Sequence, residues 1–456
     1  MAEAPRDLEA QFGQWRTYLR HRQAIRGTDV EELEGHLRDQ VAALQDLGLD
    51  DDEAFLVAVK RLGSLDALSR EFAREHSDRL WKQLVLAPGQ VDAGKAERTD
   101  VGVVVALALS AAALLKLPHL FGFATFGPEV IDSFYARNLS LFVFPVLAGY
   151  FAWKRGLDRA GWGWLAGAFA SSAAVVNLLP FTDFGNTEVL AVLHLPIAAW
   201  LVVGFAYVGG RWRSGRRRMD FVRFSGELFI YYVLMALGGG VLMVFTALMF
   251  AAIGLSAEDL VQFWILPCGA MGAVIVGAWL VEAKQSVVEN MAPVLTRVFT
   301  PLFAILLLVF LATMLWTGSG LDVERELLIG FDLLLVLVLG LLLYAISARD
   351  PDAPPDAFDL TQLVLVASAL LVDALALAAI ASRISDFGFS PNKVAALGEN
   401  LILLVNLGWS AVLYFRFLRG RSPYSALERW QTAYLPVYGI WALLVVVGFG
   451  PIFDFS

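Results

Sequence analysis

The stretch from Leu360 to Ser382 reads LTQLVLVASALLVDALALAAIAS, and the stretch from Ala396 to Phe415 reads ALGENLILLVNLGWSAVLYF. Each supplies about the twenty apolar residues a helix needs to cross ~30 Å of hydrocarbon, whereas a soluble core needs no such runs. Each also carries polar groups in its interior: Asp373 in the first, and Glu399, Asn400 and Asn406 in the second. Comparable apolar runs recur from Val101 to Gly450. The 456-residue chain is 58% hydrophobic, and only 17% of it is charged, too little to solvate so many apolar segments in water. The pattern defines an all-α, polytopic helical membrane protein.

Eleven spans are expected, at 101–123, 137–153, 162–180, 189–209, 227–251, 260–281, 298–317, 327–347, 360–382, 396–415 and 433–450. The second is the weakest, because Arg137 and Asn138 sit at its edge. Basic residues set the orientation. With the N-terminus in the cytoplasm, the inner loops collect sixteen Lys/Arg, including Lys154, Arg155 and the run Arg211–Arg218. The outer loops hold only Arg137, Arg325, Arg383 and Lys393, and the C-terminus is expected outside. Tryptophans at 153, 162, 164, 212, 279, 316 and 430 fall near span ends, as an aromatic belt would. Lys284–Arg297 and Ser422–Gln431 read as short amphipathic pieces along the inner surface. The rows Gly163/Gly167/Ser171 and Gly269/Ala273/Gly277 read as close-packing faces.

Ahead of the spans, residues 1–90 read as a small cytoplasmic four-helix domain, 91–100 as a polar linker, and 101–456 as the membrane domain. Residues 1–90 hold 12 Lys/Arg against 17 Asp/Glu, an acidic balance that argues against nucleic acid as a partner. Leu8, Phe12, Trp15 and Leu19 share one helical face. Thr28-Asp29-Val30-Glu31 is a capping-box start. Val30, Leu33, Leu37, Val41, Leu44 and Leu47 then form a stripe that stops at Gly48. Asp50, Asp51 and Asp52 open a third helix bearing Phe55, Val59 and Leu62, and Ser64 caps a fourth that ends before Pro88-Gly89.

Within this domain Glu32-Leu33-Glu34-Gly35-His36-Leu37, Leu47-Gly48-Leu49, Glu53-Ala54-Phe55, Ala58 and Arg61-Leu62-Gly63 resemble the HAAS-type, or permease-prefix, helical domain of bacterial membrane proteins. The resemblance covers roughly residues 10–75 and implies a docking or signalling module without catalytic residues. In the later spans, Arg383-Ile384-Ser385-Asp386-Phe387-Gly388-Phe389-Ser390-Pro391-Asn392-Lys393 resembles a motif of a bacterial inner-membrane family of unknown function. That motif has the form Arg-Ile-x-x-Tyr-Gly-Leu-Thr-x-x-Arg. The chain departs from it at Phe387, Phe389, Ser390 and Lys393, each chemically similar to the residue it replaces. This second resemblance implies a bacterial inner-membrane location and lends no mechanism. From the residues alone, Gly388 permits a sharp turn, Ser390 can cap the next helix and Pro391 suits its first turn.

The chain has no phosphate-binding Gly-rich loop, no His-Glu-x-x-His and no Gly-x-Ser-x-Gly. Five histidines lack metal-ligand spacing, and the single Cys268 allows neither an intramolecular disulfide nor a cysteine zinc site. No catalytic group, metal or cofactor is expected. The N-terminus lacks a basic region followed by an apolar one, so no cleaved signal peptide is expected. The chemistry-bearing candidates are therefore intramembrane. Asp373 lies about 13 Å below the outer end of its expected span, bracketed in depth by Glu399 and Asn400 at roughly 5–7 Å and Asn406 at about 15 Å. Lys116, Asn177, His194 and Asp332 fall in outer halves of their spans, and Glu227 and Glu282 at the inner boundary. These groups either bind helices together, with Asp373 bonded to Asn406 or protonated, or line a vestibule open to the outside. Arg211–Arg218 either reports topology or meets anionic headgroups. The leading functional expectation is a membrane sensor or scaffold whose cytoplasmic domain docks a protein partner. The alternative is a transporter or ligand-binding membrane domain around Asp373, with a small-molecule ligand.

Overall fold

A computed structural model describes residues 8–9, 11–13, 27–45, 49–62, 90–122, 132–252, 258–283, 291–317 and 325–456. The chain forms two compact units, Met1–Val101 and Gly102–Ser456.

In the first unit, helix α1 (Gly27–Gln45) packs on helix α2 (Asp51–Leu62). Leu37, Val41 and Leu44, spaced at four and three, present one buried stripe to Ala54, Phe55, Ala58 and Val59. Phe12 closes the core edge-on to Phe55, with ring centroids 5.3 Å apart. Asp50 caps α2 by accepting from the Glu53 amide at 2.7 Å, and Asp51, Asp52 and Glu53 occupy its first turn, where the helix dipole favours negative charge. The Arg38 guanidinium lies 4.2 Å over the Phe12 ring and bonds Glu9 and Glu34, which hold it above its usual pKa. The fourth helix expected from Ser64, together with Trp15, Leu19, Leu47, Gly48 and the side chains of Thr28, Val30, Glu31, Leu33, His36 and Leu62, lies outside the described residues.

Eleven long helices follow. They are α3 (Gln90–Leu120), α4 (Ser133–Lys154), α5 (Arg159–Leu178), α6 (Asn186–Tyr207), α7 (Gly215–Ala252), α8 (Leu266–Ala283), α9 (Met291–Thr317), α10 (Arg325–Ala348), α11 (Ala357–Phe387), α12 (Pro391–Leu418) and α13 (Ser425–Ile452). A single π-helical turn, Val261–Ile265, precedes α8. The eleven expected spans fall one to a helix. Among the described residues, nine helices are long and apolar enough to cross a membrane, and α4 and α5 are the two that fall short. The all-α polytopic class therefore holds. Large side chains such as Leu242, Met249, Ile305 and Leu333 face outwards, more than half exposed, on helices that would meet lipid there.

Three local expectations change. The segment read as a linker, 91–100, continues helically into the first apolar helix, because nothing in Gln90–Asp100 breaks it. Ser422–Gln431 is no separate surface piece: from Ser425 it forms the first turns of α13, with Gln431 fully buried. Met291–Arg297 likewise begins α9, and Lys284–Asn290 lies outside the described residues. The row Gly163/Gly167/Ser171 is exposed, and nothing stands within 4 Å of a β-carbon placed at either glycine. In the second row only Gly277 packs tightly, against Leu228 and Met235.

Two apolar cores fill the unit. One joins α9–α13 and the other joins α3–α8. Helix α7 serves both, giving Met219 and Val222 to the first, and Phe221, Phe224 and Leu228 to the second. The 3.6-residue period turns those two sets to different sides of one helix.

Buried polar groups of the membrane unit

Helices α11 and α12 form a tight antiparallel pair. α11 continues to Phe387, five residues past its expected end, so the connection shrinks to Gly388-Phe389-Ser390. Gly388 adopts φ +74°, the left-handed conformation that lets the chain reverse at once. Lys393 locks the turn by donating to the carbonyls of Gly388 (2.9 Å) and Arg383 (3.3 Å) at the C-terminal end of α11. Pro391 takes the first position of α12 as expected. Ser390 is the cap residue by position, yet its side chain makes no capping hydrogen bond. Asn392 donates to Asn186 at 2.7 Å, tying the turn to the start of α6.

Below the turn, Asp373, Asn400 and Asn406 are all 0% exposed, so in this conformation they are enclosed and line no open vestibule. Three of the four candidates turn to three different neighbours. Glu399 turns to α6, where its carboxylate meets Nε2 of His194 at 2.8 Å, while Nδ1 of that ring contacts the Leu190 carbonyl. Asn400, one position on and rotated by about 100°, donates to Oδ1 of Asp332 on α10 at 2.9 Å. Asn406 turns to α13 and donates to Gln431 at 3.1 Å. Gln431 donates to Ser410, and the Asn406 carbonyl accepts from Trp430 and Ser410. The expected Asp373–Asn406 bond is absent, and the Asn406 amide donates to Gln431 instead.

Asp373 itself has both carboxyl oxygens buried without a hydrogen-bond partner. It lies in the α9–α13 core, between Val372 and Ala376. Asp332 lies within electrostatic reach of it. Helix lengths explain why. Asp332 precedes the end of α10 at Ala348 by sixteen residues (348 − 332), and Asp373 follows the start of α11 at Ala357 by sixteen (373 − 357). With ~1.5 Å rise per residue, each carboxylate lies about 24 Å along its own helix from that end. The Oδ1 atom of Asn400 is also buried without a partner, so the cluster presents acceptors in excess of donors.

The remaining intramembrane groups pair locally. Asn177 and Asn138 exchange two amide bonds of 2.8 Å, and Lys116 donates to the Phe263 carbonyl in the π turn. Glu282 takes Lys154 and Arg155. Sequence reading passed over Glu188, 1% exposed, which meets Nε of Arg137 at 2.8 Å. It also passed over Gln431 and Ser410, whose polarity carried no motif. Among the described residues, no group of three or more His, Cys, Asp or Glu is placed to hold a metal ion. No family model matches the chain, and no curated protein or solved structure matches it.

Proposed function

We propose that this is a transporter or ligand-binding membrane protein whose working group is the carboxylate pair Asp373 and Asp332, with a proton as the bound species. The observation that carries the reading is Asp373, fully buried, with neither oxygen satisfied. An unpaired charge in that core costs on the order of several kcal/mol, and a second carboxylate beside it adds repulsion. A proton on Asp373 removes that charge and turns one of its oxygens into a donor. Glu399, paired with His194 and with its side chain 33% exposed, lies within electrostatic reach of Asp332, a place from which protons would enter.

A second reading, the sensor or scaffold, is favoured by the unit Met1–Val101, whose described residues have a core of their own. In that role the permease-prefix-like domain would dock a cytoplasmic partner and the membrane unit would report to it. The basic-loop asymmetry and both resemblances support a bacterial inner membrane, with the N-terminus in the cytoplasm and the C-terminus outside.

The test is infrared difference spectroscopy on the reconstituted full chain, titrated in pH, alongside proton uptake into proteoliposomes. A protonated-carboxyl band that disappears in Asp373→Asn, together with loss of uptake, is expected. A spectrum unchanged in Asp373→Asn refutes proton binding at this pair. A shift driven by sodium at constant pH would replace the proton by a cation.

A further inference from the structure

At the end of the bundle opposite the Gly388 turn, α4, α6, α7 and α8 enclose a cavity of about 290 Å³. Its polar lining is Arg155, Tyr207, Arg217, Asp220, Arg223 and Glu227, with apolar side chains of α7 and α8 completing the wall. Two of the three guanidiniums are fixed from behind. Arg155 is held by Glu282 at 2.6 Å and lies 5.1 Å over the Tyr207 ring, and Nε of Arg223 donates to the Ser347 carbonyl at 2.9 Å. Arg217, half-buried in the first turn of α7, forms no ion pair among the described residues. Three guanidiniums and two carboxylates line the cavity, which leaves one positive charge among its lining groups. Glu282 does not change that balance, since Lys154 shares it with Arg155.

We infer that this cavity binds a phosphate group of single negative charge, of the kind carried by the phosphodiester of an anionic phospholipid. The volume lies at the small end of ligand pockets and suits a headgroup. Fixed, forked guanidiniums match phosphate oxygens in geometry as well as charge. The cavity sits where the apolar lengths of α6, α7 and α8 give way to polar residues, which is the depth of lipid phosphates. The arginine run 211–218 that opens α7 adds positive potential at the same end. This site is independent of the Asp373 pair, which belongs to the other core.

The full-length protein, purified in neutral detergent, would be examined by thermal unfolding and native mass spectrometry. The added probes are phosphatidylglycerol, phosphatidylcholine or inorganic phosphate. Phosphatidylglycerol should raise the unfolding temperature and remain bound where phosphatidylcholine does not. Arg217→Gln should weaken that binding roughly tenfold, the loss of one charged hydrogen bond, while Arg159→Gln, at an exposed position on α5 outside the cavity lining, leaves it unchanged. Arg217→Lys, which keeps the charge, should retain part of the effect and serves if the glutamine variant fails to fold. Stabilisation by inorganic phosphate alone, lost in Arg217→Gln, would assign the same site to a free anion. No stabilisation by either probe, or an equal response in Arg217→Gln and wild type, overturns the proposal.

Discussion

Replacing Arg349 by Met should destabilise the membrane unit by about 3–5 kcal/mol, the cost of leaving one member of a buried ion pair alone. Arg349 lies at the junction of α10 and α11. Its Nη2 donates to Oδ2 of Asp359 and to the Pro354 carbonyl, both at 2.8 Å. Its Nη1 donates to the carbonyls of Asp350 (2.9 Å) and Ala353 (3.1 Å). The guanidinium plane also covers Tyr424 and Phe417, at 4.4 and 4.9 Å from their ring centres. Asp359 is 1% exposed and closes a reciprocal capping box with Asp356, so without Arg349 its charge keeps only a backbone donor. Arg349→Lys keeps the charge but cannot reach the carboxylate and three carbonyls together, so roughly 1–3 kcal/mol is expected. Asp359→Asn can still accept from the Asp356 amide and should cost less than Arg349→Met. The double variant should fall short of the sum by about 2 kcal/mol. Denaturing-detergent titration of the full chain in mixed micelles, followed by tryptophan fluorescence, measures all four. Arg349→Met within about 1 kcal/mol of wild type, or additive single effects, would refute the reasoning. The same loop sets the register of α10 against α11, so Arg349→Met should also disturb the infrared signature of the Asp332–Asp373 pair.

Two other substitutions probe packing. A β-carbon at Gly398 would overlap the ring of Trp441, so Gly398→Ala should cost roughly 1–3 kcal/mol despite alanine's better helix propensity. Adding Trp441→Leu should recover part of that loss, and detergent titration would show it. In the first unit, Phe12→Ala removes a ring 2% exposed and should cost about 3–5 kcal/mol. Limited proteolysis of the full chain should then cut first within residues 1–62, and equal protection in the variant would count against the core described there.

Much of the architecture was legible in one dimension. Apolar runs near twenty residues cannot be anything but buried or lipid-facing helices, and Gly388 marked a turn wherever its partners lay. Asp373 stood out for the same reason, since a carboxylate amid Val372 and Ala374 is costly in any helical arrangement. Its partner did not stand out. Asp332 and Asp373 are 41 positions apart, and only the packing of α10 against α11 brings them within electrostatic reach. Side-chain direction around an axis was legible only as relative rotation. That Glu399 and Asn400 diverge followed from adjacent positions, but that one meets His194 and the other Asp332 needed the neighbouring helices in place.

The glycine rows show the same division. Gly163 and Gly167 have the spacing of a packing face and face outwards, while Gly398, in no row, carries the ring of Trp441. Spacing along one helix cannot say which neighbour arrives. The sequence by itself determined the helical membrane class, the places of the eleven long helices and the presence of costly buried carboxylates, because hydrophobic length and charge burial are local properties. Only the tertiary structure decided which polar groups satisfy one another and which are left over, because hydrogen-bond satisfaction depends on atoms brought together from distant parts of the chain.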